Sequence, residues 1–318
     1  MKITTDSLQE LDAYDEQVEL FRKLYPEGLE LPKRNPARQA VLDIVARDGF
    51  DVAWWFRRTL GSGIAREWKD GNLIREYHYQ SGLFQDAADG TAAVREWNDA
   101  GILIYEYHYQ NRELQDTTGG IAAVREWNDA GILIYECHYQ NSEPRDTTDG
   151  TAAERGWNDV GVLIHEQHRH KGHLQDTANG IAAVRQWNDA GVLVYESHHH
   201  KGHSQDTANG IAAVREWNDA GVLIYERHYH KCGLQDTSNG IAAIRSWNDA
   251  EILIKEYHYC RGQLQDTANG IAAVREWNDA GVLIYKCHYQ NGEIQDAIDG
   301  TAAECRWNDA GVLIYEYH

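Results

Sequence analysis

Histidine is the residue of this chain with the greatest potential for chemistry. All 16 histidines lie after residue 60, and ten fall in the segments HEQHRHKGH (165–173), SHHHKGH (197–203) and HYH (228–230). Neutral imidazoles at this density can bind Zn²⁺, Ni²⁺ or Cu²⁺. If like segments stack, two columns of candidate ligands form: His170, His200 and His230, and His173 with His203. Because these positions hold other residues elsewhere in the chain, we expect no resident metal and no cofactor, and a metal-binding protein remains a lesser alternative.

Acid–base catalysis is the second chemistry to consider, because Asp, Glu and His recur together. The sequence contains no G-x-S-x-G, H-E-x-x-H, phosphate-binding P-loop or dinucleotide-binding fingerprint. An enzyme needs one distinct constellation in a pocket, whereas this chain offers nine nearly equal copies. The sequence therefore predicts a non-enzymatic protein.

A 30-residue repeat positions these side chains. Tryptophan marks each copy: Trp68, Trp97, Trp127, Trp157, Trp187, Trp217, Trp247, Trp277 and Trp307. Only the first interval is shorter, by one residue. Such regular periodicity is typical of stacked repeat architectures. We predict nine repeats over residues 62–318.

Each repeat has the pattern of a β-hairpin. Around Trp97, the β-prone runs TAAVREW (91–97) and ILIYEYHY (102–109) flank the loop NDAG. A second turn is predicted at positions equivalent to QNGE (290–293), and a third at TANG (177–180). The predicted fold class is mainly β: an elongated array of stacked antiparallel β-hairpin repeats with a small α-helical N-terminal cap.

A four-residue loop would fix which residues share a face of the hairpin. Four cross-strand pairs are predicted: Trp97 with Ile102, Arg95 with Ile104, Ala93 with Glu106 and Thr91 with His108. These side chains share one face because successive residues of a strand alternate. That face hardly changes among the copies, so we predict that it forms the structural core. The core residues are Trp97, Arg95, Glu106, His108, Trp127, Trp187, Trp217 and Trp277.

The predicted core face contains charges, which must be paired when buried. Arg95 lies diagonal to Glu106 in this register, close enough for a partly buried ion pair within the hairpin. Among the nine copies only Cys305 replaces the arginine and only Lys286 the glutamate, so we expect the last repeats to be weaker. Pro144 replaces the leucine of the LQD element and predicts an interruption of strand pairing there.

Residues 1–61 are predicted to be α-helical. One face of a first helix is marked by Leu8, Leu11, Val18, Phe21 and Leu24. A second helix follows Asn35-Pro36 and stops at Gly49, and Asp51 caps a third that contains the aromatic residues 54–56. We predict that this leader caps the open end of the array; a separate docking module is the alternative.

The charge distribution limits the classes of partner. The net charge is −20, of which residues 1–60 contribute only −2. An acidic array disfavours nucleic acid and anionic membranes and attracts a basic partner. The odd number of cysteines favours free thiols in a reducing compartment, and the N-terminal sequence has no apolar run. We therefore expect a cytoplasmic protein without membrane insertion.

The repeat resembles a known family at this level of detail. G-(I/T)-A-A-x-R-x-W-x-x-x-G-x-L-I-x-E-x-H, followed by a glycine turn and LQD, looks like the MORN-variant repeat (membrane occupation and recognition nexus). WKDGNLIREYHYQSG (68–82) and LQDTANGIAAV (174–184) carry the likeness, which covers about four fifths of the chain. The resemblance implies stacked hairpins that serve in scaffolds, membrane-associated proteins or antitoxin-type proteins. The basic residue of the family's Leu-His-Arg-Asp element is replaced here, which argues against lipid binding. The leader resembles a helical module that precedes repeat tracts in bacterial proteins.

The leading functional prediction is a protein-interaction scaffold that uses the variable face of the hairpins, with an immunity or antitoxin role as the narrower hypothesis. Its candidate partner-binding residues are Tyr105, Tyr107, Tyr109, Gln167, Arg169, Ser197, His199, Arg227, Tyr229, Tyr257 and Tyr259. Aromatic side chains on a rigid sheet suit protein recognition. These positions could also vary because nothing contacts them, and both interpretations stay open. The alternative function is a structural protein that associates end to end.

Overall fold

The computed structural model describes residues 2–33 and 35–318 and contains two compact units. One comprises residues 1–147 with 159–161, and the other comprises residues 148–158 with 162–318. Antiparallel hairpins dominate both units, and the helices that the model describes all end before residue 60. The predicted mainly β architecture of stacked hairpins with a small helical cap is confirmed. Within the described residues, no helix combines the length and apolar character needed to cross a membrane.

The leader begins with short helices. The helices are α1 (Thr5–Glu10), α2 (Asp15–Leu24), α3 (Ala37–Arg47) and α4 (Val52–Thr59), and the strands Lys2–Ile3 and Leu29–Glu30 pair with each other. The single first helix of the prediction is two helices, because the chain leaves helical geometry at Asp12, where φ is 57°. Thr4 caps α1 through a reciprocal capping box with Ser7. The predicted cap Asp51 is confirmed, since its Oδ1 accepts the Trp54 N–H at 2.7 Å.

The aromatic run of α4 packs on the first hairpin, as a cap requires. Trp54, Trp55 and Phe56 are buried in one core with residues of the hairpin that starts at Gly63. The Phe56 and Tyr79 rings lie 5.8 Å apart. A Cβ atom at Gly61 would lie 2.4 Å from Phe56 Cδ1, so this close approach requires glycine.

Helix α3 covers the edge of the first hairpin strand with residues spaced four apart. Three contacts make this cover: Gln39 exchanges hydrogen bonds with both backbone groups of Ile64, Asp43 pairs with Arg66 at 2.7 Å, and the Arg47 guanidinium lies 4.1 Å from the Trp68 ring centroid. Spacing by four places these three helix residues on one side of α3. The helix thereby satisfies groups that a preceding repeat satisfies elsewhere in the chain.

Each repeat contributes one long hairpin. The first strands are Gly63–Lys69, Val94–Trp97, Val124–Trp127, Glu154–Trp157, Val184–Trp187, Val214–Trp217, Ile244–Trp247, Val274–Trp277 and Glu304–Trp307; the second strands are Asn72–Gln80, Leu103–Tyr107, Leu133–Cys137, Leu163–Gln167, Leu193–Ser197, Leu223–Arg227, Leu253–Tyr257, Leu283–Cys287 and Leu313–Tyr317. Within each unit, the second strand of one hairpin pairs antiparallel with the first strand of the next. A continuous antiparallel ladder results in each unit.

The predicted register within the hairpin was wrong by two residues. Arg95 lies directly opposite Glu106, and Trp97 pairs with Leu103 after a β-bulge. The loop is longer than predicted because the Asn98 side chain accepts the N–H groups of Ala100 and Ile102. The longer loop and the bulge each add one residue. Their sum preserves the alternation, so Arg95 and Glu106 still share a face.

A short second hairpin follows in each repeat. Its strand pairs are Tyr109–Gln110 with Glu113–Leu114, Tyr139–Gln140 with Glu143–Pro144, Arg169–His170 with His173–Leu174, His199–His200 with His203–Ser204, Tyr229–His230 with Gly233–Leu234, Tyr259–Cys260 with Gln263–Leu264 and Tyr289–Gln290 with Glu293–Ile294; in the first repeat, Leu83–Phe84 pairs with the end of Asn72–Gln80. Both turn residues have positive φ, as at Asn291 (54°) and Gly292 (83°), which is the type I′ geometry.

The prediction that Pro144 interrupts pairing was wrong. Pro144 pairs with Tyr139 in its short hairpin. At the equivalent position of the preceding repeat, the Leu114 N–H donates to Ser142 Oγ outside its own hairpin. A proline at this position therefore removes no hydrogen bond of its own hairpin.

Candidate functional site

A histidine with carboxylates on both sides recurs on the fixed face of the hairpins. His198 is 2% exposed. Its Nδ1 atom lies 2.8 Å from Asp176 Oδ2, and its Nε2 atom lies 3.2 Å from Glu196 Oε1. His228 repeats this arrangement at 2.7 and 3.3 Å. In His198 and His228, both ring nitrogens therefore have carboxylate partners.

The aspartate of this set joins successive repeats. Asp176 Oδ1 accepts the N–H groups of Ala183 and His199, while its Oδ2 atom faces His198. The same three contacts recur around Asp86, Asp116, Asp206, Asp236 and Asp266. Sequence analysis missed this role. The available signal was the aspartate of the Gln-Asp or Arg-Asp pair, which is present in every copy of the element.

The glutamate connects the histidine to the arginine of the next repeat. Arg185 Nη2 lies 2.7 Å from Glu166 Oε1, and its guanidinium lies 5.1 Å from the Trp187 ring centroid. The predicted ion pair within the hairpin is corrected here: Arg95 pairs with Glu76 of the preceding hairpin. Glu76 lies directly opposite Arg95 on the neighbouring strand, so the ion pair connects repeats to each other.

These contacts change the proton affinity of the buried histidines. Burial alone would lower the pKa of His198, but its hydrogen bonds to Asp176 and Glu196 outweigh burial and raise the pKa to about 9. The same balance raises the pKa of His138, His228 and His258 to about 9. These imidazoles therefore carry a proton at neutral pH and act as cations within the network.

The glutamates of the network shift in the opposite direction. Burial alone would raise the pKa of Glu166, but hydrogen bonds from His168 and Arg185 outweigh it and lower the pKa to about 2. Hydrogen bonds and nearby charges likewise lower the pKa of Glu196, Glu226 and Glu256 against the effect of burial. The network is thus a chain of alternating charges that connects repeats.

The network is incomplete in the last repeats. Lys286 replaces the glutamate and lies opposite both Arg275 and Cys305. His288 keeps its aspartate, since its Nδ1 atom lies 2.6 Å from Asp266 Oδ2. Two cationic side chains therefore face each other where other repeats place a carboxylate between cations. The predicted weakness of these repeats stays a prediction.

The predicted partner residues lie on the opposite face, and most are half-buried. Ser197 is buried and Arg227 is exposed; Tyr105, Tyr107, Tyr109, Gln167, Arg169, His199, Tyr229, Tyr257 and Tyr259 are intermediate. The rings of Tyr105 and Tyr107 stack with centroids 6.4 Å apart. Burial raises the pKa of Tyr107, Tyr109 and Tyr259. We call the surface formed by positions 96, 105, 107 and 109 and their equivalents the aromatic face.

The histidines considered as metal ligands lie on the short hairpins. His170 pairs with His173 and His200 with His203 across their turns, and His230 pairs with Gly233. All five histidines are exposed. Within residues 2–33 and 35–318, no group of three or more His, Cys, Asp or Glu side chains is placed to hold a metal ion.

A groove of about 1140 Å³ lies in the second unit beside these hairpins. Residues 175–178, 180, 205–210, 235–239 and 241 line it together with His199, His200, Tyr229 and His230. Its aspartates belong to the histidine network, as with Asp206 and His228 at 2.7 Å. Its threonines are also engaged, since Thr207 Oγ1 accepts the Ile211 N–H. The groove is therefore lined mainly by groups that already have partners.

Comparisons with known proteins add little to this geometry. No protein-family model and no curated protein matches the chain. Among solved structures that do match is the crystal structure of TcdB2-TccC3-Cdc42, at 11% identity and a TM-score of 0.13. The match covers 72% of this chain and 14% of that chain. A TM-score this low carries no argument about fold or function.

Proposed function

We propose that this chain is a non-enzymatic repeat scaffold whose aromatic face binds a basic protein partner. One observation carries the proposal: the fixed face uses its charged side chains to join repeat to repeat, as Arg185 does with Glu166. The residues that differ between repeats are concentrated on the aromatic face. A face with fixed structural contacts and a face with variable side chains suit a scaffold that presents different contacts along its length.

The burial and the hydrogen-bond partners of the acid–base groups support a non-enzymatic role. The histidines of the sets around His198 and His228 are buried, and both ring nitrogens of each have carboxylate partners. A general base needs a nitrogen within reach of a substrate proton. These imidazoles instead serve as cations between carboxylates.

The proposal extends to the repeat type, the functional class, the compartment and the charge of the partner. The hairpin pattern resembles the MORN-variant repeat, and we propose a MORN-like scaffold of the immunity or antitoxin type located in the cytoplasm. The acidic charge of the repeats supports a basic partner. End-to-end association remains the alternative, and light scattering over a range of concentrations would test it.

The experiment is affinity capture from an extract of the source organism with three forms of the tagged chain. The first form is wild type, and the second changes Tyr105, Tyr107, Tyr257 and Tyr259 to Thr. The third changes the exposed turn residues Asp99, Asp129, Asp219 and Asp249 to Asn, as a control for loss of acidic charge. We expect a basic protein that wild type and the turn variant retain and the tyrosine variant loses. Equal capture by all three forms would contradict the proposal.

A further inference from the structure

Glu126 lies opposite tyrosines on the aromatic face of the first unit. It lies directly opposite Tyr105 on one neighbouring strand and opposite Tyr135 on the other. Residues opposite each other in antiparallel strands have Cβ atoms about 5 Å apart. A half-buried carboxylate therefore lies between the strand positions of Tyr105 and Tyr135, and the Tyr107 ring stacks on that of Tyr105.

The equivalent position in the last repeat shows what this arrangement can hold. Arg306 stands six repeats after Glu126, flanked by Tyr285 and Tyr315, the equivalents of Tyr105 and Tyr135. Its guanidinium lies 5.7 and 5.4 Å from the two ring centroids, within cation–π range. It also pairs with the Glu304 carboxylate at 2.6 Å. Two tyrosines thus hold a guanidinium on this face, together with a carboxylate from the position equivalent to Val124.

Two other carboxylates of the aromatic face have partners within the chain. Glu96 pairs with Arg75 at 3.2 Å, and Glu276 accepts a hydrogen bond from the Tyr257 hydroxyl. Among the residues that the structure describes, none offers a cation or a hydrogen bond to Glu126, and burial alone accounts for the raised pKa of this carboxyl. A half-buried carboxylate without a partner costs stability that a bound cation would restore.

We propose that Glu126, Tyr105, Tyr107 and Tyr135 form a site for an arginine side chain of a basic protein segment. The inference rests on the proposed function and names the chemistry that its partner presents. Arginine fits better than lysine, because a planar guanidinium stacks on aromatic rings and can bond a carboxylate through two N–H groups. The negative charge of the repeats supports a basic segment around that arginine.

The test measures binding of a nine-residue peptide with alternating arginine and glycine by calorimetry at physiological salt. Glu126→Gln removes the proposed anchor. Glu96→Gln is the matched control, because it removes the same charge one repeat earlier from a carboxylate that Arg75 already satisfies. We expect Kd to rise at least tenfold for Glu126→Gln and less than threefold for Glu96→Gln. The lysine version of the peptide should bind wild type more weakly.

Two ring variants separate recognition from loss of structure. Tyr105→Leu should weaken peptide binding about tenfold, whereas Tyr105→Phe keeps the ring and should bind within threefold of wild type. Equal effects of the two glutamine variants would show general attraction to an acidic surface and would overturn the arginine site. That outcome would leave the proposed scaffold function standing, since the capture experiment tests it separately. No binding of the peptide to wild type would also overturn the site.

Discussion

Glu76 and Glu126 lie on opposite faces of the ladder in the first unit, and their environments differ. Glu76 is 3% exposed and accepts hydrogen bonds from Arg66, His78 and Arg95, which hold its pKa far below the ordinary value despite burial. Glu126 is half-buried between tyrosines, and burial raises its pKa. The more buried carboxylate is the one more firmly ionised. Partners, and not depth alone, decide the charge state of a carboxyl group in this sheet.

This contrast separates structural charge from charge available to a ligand. On the fixed face, cations and carboxylates alternate across repeat boundaries, so breaking one pair leaves another charge buried. On the aromatic face, a half-buried carboxylate without a cationic partner lowers the stability of the fold. A cation of a bound ligand can pair with it.

The pH dependence of stability should be the largest effect. The folded-state pKa of His138, His198, His228 and His258 is about 9, against an ordinary value of 6.5. Their stabilisation is therefore fully present below pH 6.5 and is lost as the pH rises through 9. At roughly 1 to 3 kcal/mol for each histidine, the melting temperature should fall by about 10 °C or more between pH 6 and pH 9.5.

Stability should also fall at low pH, because the glutamates of the network then become protonated. The pKa of Glu166 is about 2 against an ordinary 4.5, so its stabilisation is lost as the pH falls below 4.5. Maximum stability should thus lie between about pH 4.5 and 6.5. A control with Asn at the exposed positions 170, 173, 200, 203 and 230 should keep the same profile. A melting temperature that stays constant from pH 6 to 9.5 would contradict the charged network.

Removal of a network aspartate should have the next largest effect. Asp206→Ala removes the carboxylate that faces His228 and that accepts the N–H groups of Ala213 and Tyr229. We expect a loss of about 3 to 5 kcal/mol, concentrated in the neighbouring repeats. Urea unfolding combined with hydrogen exchange measures it. The exposed turn substitution Asp219→Ala should cost less than about 1 kcal/mol, and equal losses would count against the network.

Repair of the charge network in the last repeats should raise stability. Lys286→Glu places a carboxylate opposite Arg275 and beside His288, and should stabilise these repeats by about 1 to 2 kcal/mol. Lys231→Glu makes the same charge change at an exposed position of a short turn. It should shift stability by no more than about 0.5 kcal/mol. Hydrogen exchange measures the difference: the amides of the last hairpins should be better protected in Lys286→Glu than in the control variant.

Backbone strain at one turn should give the smallest effect. Glu251 has φ of 61° at a turn position where the equivalent Gly221 and Gly281 have φ of 81° and 79°. A residue with a Cβ atom in this left-handed region costs about 1 kcal/mol relative to glycine. Glu251→Gly should therefore raise stability by about that amount in thermal unfolding. Glu251→Ala keeps the Cβ atom, and an equal gain from it would point away from backbone strain.

The sequence predicted much of the fold because the repeat supplied nine tests of one pattern. The alternation of fixed and variable positions identified the buried face that contains Glu106 and His108, and the glycine turns located the hairpins. The aromatic residues 54–56 predicted the cap. The detailed cover of the first strand by Gln39 and Asp43 could not be predicted, because it depends on how α3 lies across the hairpin.

The contacts between repeats were the part that sequence analysis could not supply. The Asp176–His198 pair spans 22 residues and forms only when successive hairpins stack. The register was missed because the Asn98 side chain lengthens the loop and a β-bulge follows it. The alternation of hydrophobic residues reveals neither the longer loop nor the bulge. The environment of Glu126 was missed because its neighbours come from two different strands, although the charge reversal at Arg306 marked the position as variable.

The most direct test of the account compares Glu76 and Glu126 in one experiment. Side-chain carboxyl carbons would be followed by NMR in ¹³C-glutamate-labelled protein through a pH titration, with each signal assigned from its glutamine variant. We expect Glu126 to titrate above 4.5 and Glu76 well below it, and we expect the arginine peptide to lower the pKa of Glu126 alone. Titration of both groups below 4.5, unchanged by the peptide, would show that Glu126 already has a cationic partner and would contradict the division between the two faces.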